Sequence, residues 1–179
     1  MEFEKYHSDF FDAVRNNNLE KFKDLINSGY DIATRNQLGQ TALHLAMIHC
    51  DRKFISYLID NAVKAGKLNI NVRDTLNNTP LHYVVIIREV NNIKMIAGLQ
   101  LISEPLTADI GLRKYTIKNL LSNGADINVQ DRFGRTPLID AAHYHEDDIL
   151  IKYLLELGAD KGICDFHGFN YLTTPNPNK

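Results

Sequence analysis

A short pattern recurs along this chain, and it limits the possible fold more than any other feature. Each copy has a turn that carries Gly or Asn, followed in most copies by Thr and an apolar run. A Thr before a helix accepts a hydrogen bond from an otherwise unpaired backbone N–H, and Pro fits the first helical position. The copies begin at Asn36, Asp74, Asp131 and Asp165 and read NQLGQTALHLA, DTLNNTPLHYV, DRFGRTPLIDA and DFHGFNYL.

The copy that begins at Asp131 predicts a complete helical hairpin. Thr136 and Pro137 predict the start of a first helix. Asp148 suits the positively polarised start of a second helix, and Gly158 is placed to end it in the left-handed conformation. Since an isolated hairpin of this size cannot cover both of its apolar faces, similar units must stack on it.

The ends of the second helices recur as well, as SGYDIAT from Ser28, NGADINV from Asn123 and LGADKGI from Leu157. With these motifs the chain resembles the ankyrin repeat family, whose units are about 33 residues long and carry the motif T-P-L-H-x-A. The resemblance covers most of residues 3–172. It implies an all-α solenoid of stacked helix-turn-helix units with short β-turn or hairpin connections. We expect one domain over residues 1–179, with units at about 3–35, 36–73, 74–130 and 131–164, a partial unit at 165–172 and a polar tail at 173–179.

Two units depart from the family's period. The unit at 36–73 is too long, and the late position of Gly66 predicts a second helix that is extended beyond its usual end. The unit at 74–130 is longer still and indicates an insertion at about 88–112. This insertion is either a tolerated surface loop or a segment that shapes the binding face. A short helix is predicted inside it, with Asn92 as the cap, Ile93, Ile96, Leu99 and Ile102 at helical spacing, and Ser103-Glu104-Pro105 as the end.

The turns differ at one position, and the last unit is incomplete. Asn77 replaces the turn glycine of the other copies, and Asn tolerates positive φ better than most residues. In the last unit Asn170-Tyr171-Leu172 replaces Thr-Pro-Leu. Either the chain is a piece of a longer repeat protein, or apolar residues fold back over the preceding helices, namely Phe166, Phe169, Tyr171 and Leu172.

Composition and charge bear on the type of partner and on the cellular compartment. The net charge of −2 and a pI near 6.4 give no reason to expect nucleic-acid binding. Cys50 and Cys164 have no paired spacing and no secretory leader precedes them, which favours a reducing intracellular compartment. No apolar run reaches the length that crosses a bilayer, so no membrane insertion is expected.

Residues that could carry chemistry have simpler interpretations. His143 and His145 diverge, and the acidic residues that follow suit a helix start, so we expect neither a metal nor a cofactor at the cluster His143, His145, Glu146, Asp147 and Asp148.

Four other residues also have structural interpretations. Cys50 lies beside His49, yet no orienting third group can be placed, so an inert thiol is expected. The family resemblance implies that His44 and His82 form structural hydrogen bonds between neighbouring units. Asn128 follows Leu120, Asp126 and Ile127 at a spacing that resembles the site of asparaginyl hydroxylases in ankyrin repeats; we favour an ordinary turn residue there.

The family resemblance also implies where a partner would bind. In ankyrin repeats the concave surface is formed by the turn tips and the outer side of the first helices, and here those positions are unusually apolar, as interfaces often are. Ile86 and Ile87 have an alternative, since the insertion could cover them. The predicted partner-binding residues are Leu38, Gln40, Ile48, His49, Leu76, Asn78, Ile86, Ile87, Phe133, Arg135, His143, Tyr144, Phe166 and Phe169.

The function predicted from these features is a non-enzymatic, monomeric module that binds another protein on its concave face. The abundance of Asn, Ile and Lys resembles the product of an AT-rich genome, and ankyrin proteins of intracellular bacteria and large DNA viruses often act on host proteins. We therefore expect an adaptor or host-directed effector, in the cytoplasm or delivered into a host cytoplasm. The alternative is a regulatory subunit or enzyme whose site is built by the 88–112 insertion.

Overall fold

The structure is a computed structural model that describes residues 2–90, 93–96, 99–100, 109–144 and 148–175. Its repeating element is a pair of antiparallel helices. The helices are α1 (Glu2–Arg15), α2 (Leu19–Asn27), α3 (Ala42–His49), α4 (Arg52–Leu58), α5 (Pro80–Ile86), α6 (Ile110–Ser122), α7 (Pro137–Tyr144) and α8 (Asp148–Glu156). The strands are β1 (Ile87–Val90), β2 (Ile93–Ile96) and β3 (Leu99–Gln100).

The helices form two rows. In the inner row α1 packs on α3, α3 on α5, and α5 on α7. In the outer row α4 packs on α6 and α6 on α8, while a ring contact of 5.0 Å between Phe22 and Phe54 joins α2 to α4. The stacked helical hairpins confirm the predicted solenoid.

The inner helices are buried because they have neighbours on three sides. Every residue of α3 from Ala42 to Ile48 is buried, and so is every residue of α5. The core continues between the rows through Ile55, Ile117 and Leu120. Each such side chain contributes roughly 1.5–3 kcal/mol by leaving water. Since no single hairpin has enough apolar contact alone, its stability comes from its neighbours.

The second helix of the 36–73 segment is extended, as predicted. Helix α4 continues without a break into a turn of π-helix over Ile59–Val63. Gly66 then takes a φ of +70° and ends the segment. Ile59 and Ala62 of this π-helical turn are buried.

The predicted helix inside the insertion is wrong. Residues Ile93, Ile96 and Leu99 belong to strands, and Asn92, Ile102 and 103–105 lie outside the described residues. Strands β1, β2 and β3 form an antiparallel meander in which Val90 pairs with Ile93 and Ile96 pairs with Leu99. Val90, Ile93 and Ile96 are β-branched, a side-chain type that favours strands.

Helix α6 begins within the predicted insertion, before its expected end at residue 112. The side chain of Asp109 accepts hydrogen bonds from the backbone N–H of Gly111 at 2.9 Å and of Leu112 at 3.2 Å. This cap starts the helix at Ile110 because Asp satisfies the first free N–H groups better than any residue further along.

The last segment covers the preceding helices only in part. The Tyr171 side chain packs against the hydrophobic core, as a segment folded back over the helices would. Phe166, Phe169 and Leu172 are exposed, so they do not cover the preceding helices as the first of the two alternatives required.

Candidate functional site

Four turns of the same geometry project from one edge of the solenoid. In each, an Asp or Asn Oδ1 accepts hydrogen bonds from the backbone N–H groups two and four positions on. At Asp131 these donors are Phe133 and Arg135, both at 2.8 Å. The fourth turn residue has positive φ in every copy, and Asn77 adopts it at +60° as predicted. Asn36, Asp74 and Asp165 form the same bonds, so the four tips share one shape.

Neighbouring tips are joined by backbone hydrogen bonds. The N–H of Thr75 donates to the carbonyl of Leu38 at 3.0 Å, and the N–H of Arg132 donates to that of Leu76 at 2.9 Å. The N–H of Phe166 donates to the carbonyl of Phe133 at 3.0 Å. The tips therefore form one continuous ladder along the solenoid, rather than four independent loops.

Histidines fix the position of each turn against the next. The N–H of Thr41 donates to Nδ1 of His44 at 3.1 Å, so the remaining proton lies on Nε2, which donates to the carbonyl of Asn78 at 3.2 Å. Burial lowers the pKa of His44 to about 4 and keeps the ring neutral. His82 repeats the arrangement towards Arg135. The structural role implied for both histidines is confirmed.

Three apolar tips face solvent. Leu38 is 57% exposed, Leu76 is 40% exposed and Phe133 is 42% exposed. They occupy the same position in three successive turns, and we call them the tip row. His167 holds the fourth equivalent position. Apolar side chains in such exposed places do not add to folding stability, so the tip row is a candidate contact surface.

Two arginines surround the ring of Phe133. The guanidinium carbon of Arg135 lies 4.9 Å from the ring centroid, and that of Arg132 lies 5.5 Å from it. Nε of Arg135 also lies 3.5 Å from a carboxylate oxygen of Asp131 and 3.5 Å from one of Asp140. Burial raises the pKa of Asp140 to about 7, an effect that Arg135 opposes and Asp131 reinforces. The site thus combines an aromatic anchor with cationic groups.

A shallow groove of about 220 Å³ lies beside Phe133. It brings together four of the predicted binding residues: Phe133, Arg135, His143 and Phe169. His167, at the tip of the last turn, also lines the groove, together with three residues that were not predicted there: Asp165, Thr174 and Pro175. The last two follow the final recognisable motif, so no repeat register could have placed them.

The expected exposure of Gln40 and Ile48 is wrong, and Ile86, for which cover by the insertion was the alternative, is buried as well. Ile48 and Ile86 are buried because α3 and α5 each pack against two neighbours in the inner row and one helix of the outer row. Gln40 is buried because its amide joins the turns: it accepts a hydrogen bond from Asn36 at 2.7 Å and donates one to the hydroxyl of Tyr83. That hydroxyl donates in turn to Asp74 at 2.8 Å.

The other predicted positions have separate surroundings. His49 is partly buried, and burial lowers its pKa to about 4, with Arg15 adding to the effect. Asn78 donates to Asp74 at 3.3 Å, next to its bond with His44. Ile87 lies in β1 and Tyr144 ends α7, and their side chains lie outside the described part of the chain.

Asn128 is partly buried and engaged. Its Oδ1 accepts a hydrogen bond from the N–H of Asp160 at 2.8 Å. Asn71 makes the equivalent contact one unit earlier, where its Oδ1 accepts from the N–H of Asp126 at 2.9 Å. The side chain of Asn128 therefore links two loops, and whether it is hydroxylated stays a prediction.

Among the described residues, those that could carry chemistry show no arrangement typical of a reactive or metal-binding site. Cys50 donates its thiol to the carbonyl of Val14 at 3.2 Å, and burial raises its pKa. In the described ranges, His, Cys, Asp and Glu side chains form no group of three or more that could hold a metal ion. Residues 145–147 of the suggested acidic cluster lie outside those ranges.

Models of known families define the class of protein to which this chain belongs. Models described as ankyrin repeats match residues 10–103 and 120–172. The chain is therefore a member of the ankyrin repeat family. Ankyrin repeats generally mediate protein–protein interaction, and the family is typically non-enzymatic.

Particular relatives are similar over most of this chain. It is 26% identical over 168 residues, 89% of its length, to a Rickettsia felis protein described as an ankyrin repeat protein, of which it covers 43%. A Rickettsia bellii protein with the same description is 28% identical over 77% of this chain, and the match covers 61% of that protein's length. A Danio rerio protein described as a palmitoyltransferase is 28% identical over 75% of this chain, which covers 22% of it.

The chain thus spans less than two thirds of the length of each of these relatives. Within the residues that the structure places, none of the helices has the length and hydropathy to cross a membrane.

Proposed function

We propose that this protein is a non-enzymatic binding module that holds a partner protein against the tip row and the adjoining groove. The observation that carries the proposal is the tip row itself, three exposed apolar side chains fixed at equivalent places by a continuous backbone ladder. The ladder and the His44 and His82 bonds hold the surface in one conformation before a partner arrives, which lowers the entropy lost on binding.

The groove supplies the second element of the proposed surface. Phe133 forms one wall and is exposed, while Arg135 and His143 place polar groups beside it. Aromatic and Arg side chains are the residue types that most often dominate binding energy at interfaces. We therefore expect the contact to centre on Phe133, with Leu38 and Leu76 extending it.

Capture experiments with matched variants test this proposal. The double variant Leu76→Ser and Phe133→Ser removes two exposed side chains from the tip row and should abolish capture of specific proteins from a lysate of the source cells. The control variant Ile110→Ser and Ile149→Ser removes two side chains of similar exposure from the outer row. It should capture the same proteins as the native chain.

Thermal unfolding separates loss of binding from loss of folding. Both double variants should unfold within a few degrees of the native chain, because exposed substitutions usually change stability by less than about 0.5 kcal/mol each. Unchanged capture by the tip-row variant would contradict the proposal.

A finer proposal concerns location. The similarity to two Rickettsia proteins supports a host-directed effector that acts in a host cytoplasm. An epitope-tagged chain expressed in its own organism should then be found in the cytoplasmic fraction of infected cells. Its retention in the producing organism would favour an adaptor that acts there.

A further inference from the structure

The loops that follow the second helices of the four units form the same turn. In each loop, the side-chain Oδ1 of one residue accepts a hydrogen bond from the backbone N–H two positions on, at 2.7–2.9 Å. These acceptor residues are Asp31, Asn69, Asp126 and Asp160. Because the loops are equivalent, they can be compared position by position. We call the places where successive loops meet the first, second and third junctions.

Asparagine side chains close the second and third junctions. At the second, Oδ1 of Asn71 accepts a hydrogen bond from the N–H of Asp126 at 2.9 Å, and its Nδ2 donates to the carbonyl of Gly124 at 3.0 Å. At the third, Oδ1 of Asn128 accepts from the N–H of Asp160 at 2.8 Å. A carboxamide group therefore fits between two such loops, and at the second junction both its oxygen and its nitrogen are bonded.

The first junction has no such side chain. Ala33 stands where the next two loops carry Asn, and its methyl group forms no hydrogen bond. The N–H of Asn69 is equivalent to that of Asp126, and the carbonyl of Lys67 is equivalent to that of Gly124. Neither group has a hydrogen-bond partner among the described residues. Asn69 and Lys67 are both exposed, so this donor and this acceptor are accessible from solvent.

A groove of about 440 Å³ opens beside the first junction, and we call it the junction groove. Gly29, Tyr30 and Asp31 line it from the first loop, and Tyr57 and Lys67 line it from the second unit. Its volume lies within the range of about 300–1,000 Å³ that is typical of ligand sites. Space for a ligand and unpaired backbone groups therefore occur at the same junction.

We infer that the first junction is a second binding site, which takes the side-chain carboxamide of an Asn or Gln residue in a partner protein. The carboxamide oxygen accepts from the N–H of Asn69 and the nitrogen donates to the carbonyl of Lys67, as the side chain of Asn71 does one junction later. The neighbouring part of the partner lies in the junction groove. This groove shares no lining residue with the groove beside Phe133, so the inference goes beyond the proposed function and does not depend on it.

Ala33→Asn tests whether the first junction lacks only this side chain. The new carboxamide should bond to the N–H of Asn69 and raise the melting temperature by about 2–4 °C, the rise expected for one added hydrogen bond in a chain of this size. Ala33→Leu is the matched control, because Leu has a similar shape and no polar atom. It should not raise the melting temperature. Equal effects of the two variants would overturn the inference.

Three blocked tripeptides test the ligand class with the full chain. They are N-acetyl-Ala-X-Ala-N-methylamides in which X is Asn, Asp or Leu. In an NMR titration of the backbone amide signals, the Asn peptide should shift the signals of Asn69 and Gly29. It should bind at least about fivefold more tightly than the Leu and Asp peptides, because only a carboxamide supplies both a donor and an acceptor.

Ala33→Asn should also abolish the response to the Asn peptide, since its own side chain then fills the junction. A response that persists in this variant would place the peptide elsewhere and overturn the inference. So would the absence of any shift at Asn69, or equal shifts with the Leu peptide. Tighter binding of the Asp peptide would assign the site to a carboxylate beside Lys67 instead.

The capture experiment keeps the two sites apart. Ala33→Asn leaves Leu76 and Phe133 in place, so capture that depends on the tip row should survive in this variant. Loss of capture in the tip-row variant with a normal response to the Asn peptide would support both sites. Unchanged capture by the tip-row variant contradicts the proposed function alone.

Discussion

Nε2 of His82 donates a hydrogen bond to the carbonyl oxygen of Arg135 at 3.2 Å, across 53 positions of sequence. Nδ1 of the same ring accepts from the N–H of Thr79 at 3.1 Å, in the turn that precedes its own helix. One buried side chain thus connects two turns whose tips, Leu76 and Phe133, belong to the proposed binding surface.

His82→Ala should destabilise the protein by about 1–3 kcal/mol, because it leaves a buried carbonyl and a buried N–H without their partner. Urea unfolding followed by circular dichroism measures the loss. His167→Ala, at an exposed tip, is the matched control and should change the unfolding free energy by less than about 0.5 kcal/mol. Equal effects of the two variants would contradict the role given to His82.

Stability should fall as the pH drops from 6.5 towards 4. The pKa of each of His44, His82 and His49 is about 4 in the folded protein and ordinarily 6.5, so the unfolded chain binds more protons in this interval. The contribution of these histidines to folding stability is complete above pH 6.5 and is lost as the pH falls through about 4.

Asp140 acts in the opposite sense. Its pKa is raised from 3.8 to about 7, so its contribution is complete below 3.8 and is lost as the pH rises through about 7. Because three histidines favour folding at higher pH and only one aspartate favours it at lower pH, the urea midpoint should be higher at pH 6.5 than at pH 4.5. His82→Ala should reduce that difference, whereas Asp140→Asn should increase it. A flat profile would show that the histidines are not buried as described.

Gly134→Ala should destabilise the protein more than Gly168→Ala. Both glycines have positive φ, +78° and +82°, so both substitutions strain the backbone by roughly 1 kcal/mol. At Gly134 an added Cβ would also lie 2.6 Å from Cδ1 of Phe166 and 2.9 Å from its backbone nitrogen, whereas at Gly168 no atom lies within 4 Å. Thermal unfolding of the two variants isolates this steric contact, and equal shifts would contradict it.

Leu120→Ala should destabilise the protein by about 2–5 kcal/mol, since Leu120 is fully buried between the outer helices and its loss leaves a cavity. Leu38→Ala removes the same atoms from an exposed tip and should change stability by less than about 0.5 kcal/mol. Chemical denaturation of the pair measures the difference. A comparable loss at Leu38 would mean that the tip row serves the core and not a partner.

Local signals were sufficient for the repeated turns. Asn77 was predicted to replace a turn glycine, and its φ of +60° confirms this because a short polar side chain tolerates the left-handed region. Local signals were not sufficient to predict the secondary structure of the insertion. Ile93 and Ile96 suit a helix by spacing and a strand by β-branching, and only the pairing of β2 with β1 selects the strand. The exposure of the predicted binding residues followed from the sequence only in part: Leu38, Leu76 and Phe133 are exposed, while Gln40 and Ile86 are buried.

The sequence by itself determined the repeat, its turns and the helices that follow them, because Asp, Gly, Thr and Pro act through bonds to residues a few positions away. Only the tertiary structure decided which apolar residues remain on the surface, since burial depends on neighbours supplied by other units. Ile48 and Leu38 are both apolar residues of one unit, yet packing on α1 and α5 encloses the first, and the turn carries the second into solvent. The tip row is the part of the pattern that stacking left exposed.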